Sequence, residues 1–122
     1  MVKDGVQRHR SVPLLVAKAF VPRMHSVAFD TPINLDGNRH NNAAWNLMWR
    51  PRWFAVKYNQ QFRHPYSHPI MELIEDIPTG EVSNNSFECS MQYGLLEEDL
   101  VLSIENRTYV WPTYQEFRVY QN

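Results

Sequence analysis

A chain of 122 residues accommodates one domain or two very small ones. Its ordinary apolar and aromatic content argues against intrinsic disorder, no apolar run approaches the roughly 18–20 residues that cross a bilayer, and one cysteine, Cys89, excludes an internal disulfide and a cysteine-rich zinc site. The net charge of −1 conceals a division: residues 1–63 hold ten Lys and Arg against three acids, a balance of +7, and residues 64–122 hold two against ten, a balance of −8.

Such a split implies that the halves meet different partners, or each other. The basic half suits phosphates and the acidic half is repelled by them. A lone cysteine fits a reducing, cytoplasmic setting, and the N-terminal Met-Val-Lys-Asp-Gly-Val-Gln-Arg lacks the apolar core of a signal peptide.

In chain order, residues 1–10 read as a basic, partly extended lead-in. Ser11 is placed to cap a short helix with Pro13 in its first turn; Leu14, Leu15, Val16, Ala17, Ala19 and Phe20 follow, and Val21-Pro22 ends it. Residues 23–30 read as loop with an apolar cluster at Val27-Ala28-Phe29. A short strand begins at Ile33, Asp36-Gly37 signals a tight turn, and Trp45–Trp49 reads as the returning strand. Pro51 suits a helix start, with Arg52–Phe62 helical and Trp53, Phe54, Val56, Tyr58 and Phe62 as its apolar surface. Residues 64–69, with two prolines, form a linker. Beyond it the sequence predicts a strand over Ile70–Glu75, a turn at Pro78-Thr79-Gly80, a helix over Asn84–Tyr93 closed by Gly94, and a second helix over Glu97–Asn106 with Leu100, Val101 and Ile104 buried. The last segment, Thr108–Tyr120, is aromatic and β-prone.

The stretch from Ile33 to Trp49 carries Asp36-Gly37-Asn38, then Asn41-Asn42, then Asn46-Leu47-Met48-Trp49, and it follows Leu15-Val16-Ala17-Lys18-Ala19-Phe20-Val21-Pro22. In this order and spacing, residues 8–62 resemble the HNH homing endonucleases of phages and mobile introns. The resemblance implies a hairpin followed by a helix, the ββα-metal arrangement, and metal-assisted phosphodiester cleavage. In that family a histidine two residues before Asp-Gly-Asn is the general base. An acidic or similar neighbour just before it and an Asn or His on the following helix hold one divalent metal. The matching positions here are Asn34, Ile33 and about Ala55. Asn34 has no proton-accepting group that titrates near neutrality, and Ile33 and Ala55 offer no ligand atom, so no resident cofactor is expected. Residues able to rescue a site are His40, Asn59 and, as an oxygen ligand for Mg²⁺, Asp36. Otherwise His40 and Asn59 are exposed polar residues, Asp36 serves the turn, and a side-chain amide of the Asn41-Asn42 pair ties the loop to the backbone.

Residues 70–120 resemble the nuclease-associated modular helix-turn-helix repeat, through Glu88-Cys89-Ser90, Tyr93-Gly94-Leu95, Ile104-Glu105-Asn106-Arg107 and the closing aromatic segment. Such a module presents the start of its second helix to the DNA major groove. Here that start is Glu97-Glu98-Asp99, which suits a helix N-terminus but opposes phosphates and points to a protein partner instead.

His64 and His68 are four apart but each precedes a proline, which favours a linker role over a metal site. Trp45, Trp49 and Trp53 are expected in the core, with an exposed stacking platform as the alternative. Arg39, Arg50, Arg52, Lys57 and Arg63 are the candidate phosphate contacts, weighed against a solvated basic face. Cys89 is expected to pack rather than react.

The sequence therefore predicts an α+β protein: an HNH-like ββα lobe over residues 1–63, a linker over 64–69, and a helix-turn-helix-like lobe with flanking strands over 70–122. The leading expectation is a phage- or mobile-element-encoded pseudoenzyme in the host cytoplasm. It would bind nucleic acid, DNA first, through its basic lobe and a basic protein partner through its acidic lobe, in a regulatory or interfering role and without membrane contact. The alternatives are a working Mg²⁺-dependent endonuclease with a rearranged site, and a structural or interaction subunit of a larger assembly.

Overall fold

The computed structural model describes residues 12–22 and 28–121. The basic lead-in, the Ser11 cap and most of the loop 23–30 lie outside the described residues. Among the described residues the protein is mixed α+β, with two small antiparallel sheets and helices α1 (Val12–Phe20), α2 (Arg52–Arg63), α3 (Ser86–Tyr93) and α4 (Glu97–Asn106). It divides into two compact units, residues 1–59 and 60–122.

In the first unit, strands β1 (Thr31–Asn34) and β2 (Leu47–Arg50) pair antiparallel, with Ile33 opposite Met48 and Asn34 opposite Leu47. Successive strand residues point to opposite faces, and both faces are covered here, since Ile33 and Asn34 are each buried. α1 packs against both strands. Only its Ala17 is fully buried, whereas Leu15 and Phe20 stay exposed. The indole N–H of Trp49 donates to the carbonyl of Val21 at 3.0 Å and so fixes the end of α1.

α2 starts directly after Pro51, whose carbonyl accepts the first helical bond from the Ala55 N–H at 3.0 Å, a position where the missing proline N–H costs nothing. Its buried face is Phe54, Ala55, Tyr58 and Gln61, the i, i+1, i+4, i+7 spacing of one helical stripe. Phe54 and Tyr58 stack with centroids 6.2 Å apart, and the Tyr58 hydroxyl donates to the Leu35 carbonyl at 2.6 Å. Trp53 and Val56, expected on the apolar surface, fall on the other side and are exposed.

In the second unit, β3 (Ile74–Asp76) is the central strand between β4 (Val82–Ser83) and β5 (Phe117–Val119). The strand predicted from Ile70 begins four residues later. Ile70 instead exchanges bonds with Ser86, taking the Ser86 N–H on its carbonyl at 2.8 Å and giving its own N–H to the Ser86 hydroxyl at 2.9 Å. The core gathers Ile74, Cys89, Leu95, Leu100, Val110 and Phe117. The Asn85 side chain caps α3 by accepting the Glu88 N–H at 2.8 Å, which sets the helix start two residues later than predicted. Gly94, at φ 65°, closes α3 in the left-handed region that a Cβ disfavours.

The boundary between the units falls inside α2, ahead of the expected linker at 64–69, and the last turn of α2 shows why. The Gln61 side chain donates to the Leu95 carbonyl at 3.3 Å and accepts the Glu97 N–H at 2.9 Å, and Phe62 meets Phe87 edge to face at 5.3 Å. The turn thus belongs with α3 and α4.

Candidate functional site

The loop between β1 and β2 is a hydrogen-bonded polar knot, and the residue in the expected base position is its inner end. Asn34 is 8% exposed. Its amide group donates to the Asn41 carbonyl at 2.8 Å and to the Asn42 side-chain oxygen at 3.0 Å. An amide carries two donor hydrogens, and both are used here. Asn34 therefore holds the loop to the strand, and no nitrogen on it accepts a proton.

Asp36 is committed to the same knot. One of its oxygens accepts from the Asn38 N–H at 2.9 Å and the Asn46 amide at 2.9 Å, and the other from the Asn41 amide at 2.8 Å. What burial the Asp36 carboxyl has would raise its pKa, but the bonds from Asn41, Asn38 and Asn46 outweigh it and hold the group below its ordinary value of 3.8. Asn46, 1% exposed, is the centre of the knot. It accepts the Asp36 N–H at 3.2 Å and donates to Asp36 and, at 2.9 Å, to the Asn41 carbonyl. The sequence marked Asn46 only as part of a motif; its role as hub was missed. The signal available was an Asn facing an Asp-Gly turn, directly before the apolar Leu47-Met48-Trp49.

The two positions expected to flank a metal are apolar and buried, Ile33 at 2% and Ala55 at 6%. His40 and Asn59 are exposed. Among the described residues, no three of His, Cys, Asp or Glu come together as a metal-binding group. The oxygens of Asp36 are taken up by N–H donors from Asn38, Asn41 and Asn46. His64 and His68 lie on the exposed linker, where the His68 ring is 2.9 Å from the Ser67 hydroxyl.

Of the five candidate phosphate contacts, Arg39, Arg52, Lys57 and Arg63 are exposed. Arg50 is not one of them, which corrects its assignment: it is 3% exposed, its guanidinium donates to the Trp49 carbonyl at 2.8 Å, and it lies over the Phe54 ring at 5.6 Å. Burial lowers its pKa to about 10, against a smaller opposing effect of Tyr58. The tryptophans also depart from expectation. Trp49 is in the core, but Trp45 is 74% and Trp53 54% exposed. A 3₁₀ turn at Ala44–Asn46 precedes β2; turning Asn46 inward to Asp36 turns Trp45 outward. Trp53 lies outside the buried stripe, its ring edge to face with Phe54 at 5.8 Å and the Lys57 ammonium 5.9 Å from it.

The acidic triplet at the start of α4 divides in the same way. Glu98 and Asp99 are exposed. Glu97 is 2% exposed and accepts the Ser86 hydroxyl at 2.5 Å, so it is removed from the surface set. Gln61 and Ser86, which hold Glu97, were not singled out by the sequence, although Gln61 continues the spacing of Phe54 and Tyr58. Cys89 is buried, and burial pushes its thiol up to about 12, which leaves it a packing residue. No helix among the described residues is long and apolar enough to cross a membrane. Comparison with protein-family models, characterised proteins and solved structures finds no match to this chain.

Proposed function

We propose that this protein is a catalytically inactive relative of the HNH homing endonucleases, a pseudoenzyme that binds nucleic acid, DNA first, through its basic N-terminal part. Its acidic C-terminal part binds a basic protein partner, and the outcome is regulation of, or interference with, another machine. The observation that carries the reading is the commitment of Asn34: both of its amide hydrogens are used to hold the loop, where cleavage needs a proton acceptor. The burial of Ile33 and Ala55, neither with a side chain that can bind a metal, supports the same conclusion. Exposed Arg39, Arg52, Lys57 and Arg63 support the phosphate-binding half, because such cations release counterions from nucleic acid. Exposed Glu98 and Asp99 support the protein-binding half.

A plasmid-nicking assay with Mg²⁺ tests the loss of chemistry. The expected result is intact supercoiled plasmid; nicking that disappears in His40→Ala would overturn the proposal in favour of a rearranged nuclease. Capture of partners from cell extract, with and without nuclease treatment, tests the rest. A basic protein retained after treatment and lost in Glu98→Ala/Asp99→Ala supports the acidic half, and retention of that protein by the double variant rejects it.

A further inference from the structure

We propose that the second unit binds a small organic ammonium ion in a groove between the linker and the start of α3, an assignment independent of the nucleic-acid reading. The groove has a volume of about 490 Å³, within the range of small-molecule sites. Phe62, Tyr66, Phe87 and Met91 supply its apolar wall, and Glu88 and Glu97 its two carboxylates. Among the described residues that line it, none is Lys, Arg or His. Phe62 and Phe87 meet edge to face, and aromatic faces attract a cation through their quadrupole.

Glu97 decides the charge of the ligand. It is 2% exposed, and one oxygen accepts the Ser86 hydroxyl. Among the described residues nothing donates to its other oxygen and no cationic side chain pairs with it. Buried carboxylates are normally paired. The N-terminus of α4 and Ser86 stabilise the carboxyl group, which lets the unit fold without a counter-ion, and the groove places Glu97 among aromatic rings with no cationic side chain of the described residues beside it. A hard metal ion is a poor fit, since it takes six or more oxygens and the wall offers sulfur and ring carbon. A phosphate or carboxylate ligand is repelled. An alkyl- or arylammonium satisfies both surfaces at once: its apolar body lies against the rings, and its charge faces Glu97.

The test uses the full chain and benzyltrimethylammonium, followed by the methyl signal of Met91 and by calorimetry. Benzyl alcohol serves as the neutral control and phenylacetate as the anionic one. The expected result is saturable binding with Kd below about 1 mM, about tenfold weaker or more for the alcohol, and none for phenylacetate. Glu97→Gln keeps an acceptor for Ser86 and removes the charge; it weakens the ammonium about tenfold and leaves the alcohol unchanged. If that variant does not fold, Tyr66→Ala in the linker carries the test, and it weakens the ammonium through loss of the ring. Equal affinity for ammonium and alcohol, no saturable ammonium binding, or unchanged ammonium affinity in a folded Glu97→Gln (in Tyr66→Ala, if the first variant does not fold) would overturn the assignment.

Discussion

Asn34, at the end of β1, and Asp36, in the loop that follows, both bond to Asn41, but they respond differently to change. Asn34→Ala removes the donors to the Asn41 carbonyl and the Asn42 side chain. The Asn41 carbonyl keeps its bond from Asn46, so only one acceptor is stranded. The expected loss is about 1–2 kcal/mol in chemical denaturation; an unchanged midpoint would mean that the knot is not stabilising. Asp36 adds a pH signature. Its folded pKa lies below the ordinary 3.8, so the unfolded chain takes up a proton first as pH falls. Its contribution is fully present above 3.8 and is lost as pH drops through the lower folded value. Asp36→Asn is therefore less stable than the parent at pH 7, and the difference in Tm narrows below pH 3.8. Thermal melts of the two proteins across that window read it directly, and a gap that widens in acid contradicts the stated balance of bonds over burial.

At the scale of elements, helix ends were well marked in the sequence and burial was less so. Pro51 and Gly94 set boundaries that the sequence predicts, through their own backbone chemistry, whereas the Asn85 cap starts the helix at Ser86, two residues beyond the predicted Asn84. Trp45, Trp53 and Arg50 ran against hydropathy for tertiary reasons: Asn46 is required inside by Asp36, and the helix stripe is fixed by Phe54 and Tyr58. The last turn of α2 is the clearest case, because its role depends on residues more than thirty positions away. Gln61 bridges the Leu95 carbonyl and the Glu97 N–H and so spans the turn between α3 and α4. Gln61→Ala strands both groups in a buried setting, with an expected loss of about 2–3 kcal/mol. Hydrogen exchange should show the first turn of α4 opening more readily, while the Asn34–Asn46 loop keeps its protection; loss of protection in both would contradict a local clip.

For the molecule as a whole, the charge division is legible from the sequence alone, but which cations face solvent is not. The sequence treated Arg50 as equivalent to Arg39, Arg52 and Lys57, whereas burial separates it from them. This distinction gives the nucleic-acid proposal a quantitative test. Each phosphate neutralised by an exposed cation contributes about 0.9 to the slope of log K against log salt on duplex DNA. Replacing Arg39, Arg52 and Lys57 together by Ala is expected to flatten the slope by roughly 2 to 3. Arg50→Lys leaves the slope unchanged, because the side chain it alters is buried; its effect is instead on stability, through the lost bond to the Trp49 carbonyl and the lost packing over Phe54. Affinity measured over a salt series for both variants separates contact from scaffold. If the triple variant keeps the parent slope, the exposed cations of the first unit do not touch phosphate. If Arg50→Lys flattens it as well, the loop and strand that bury Arg50 open when nucleic acid binds.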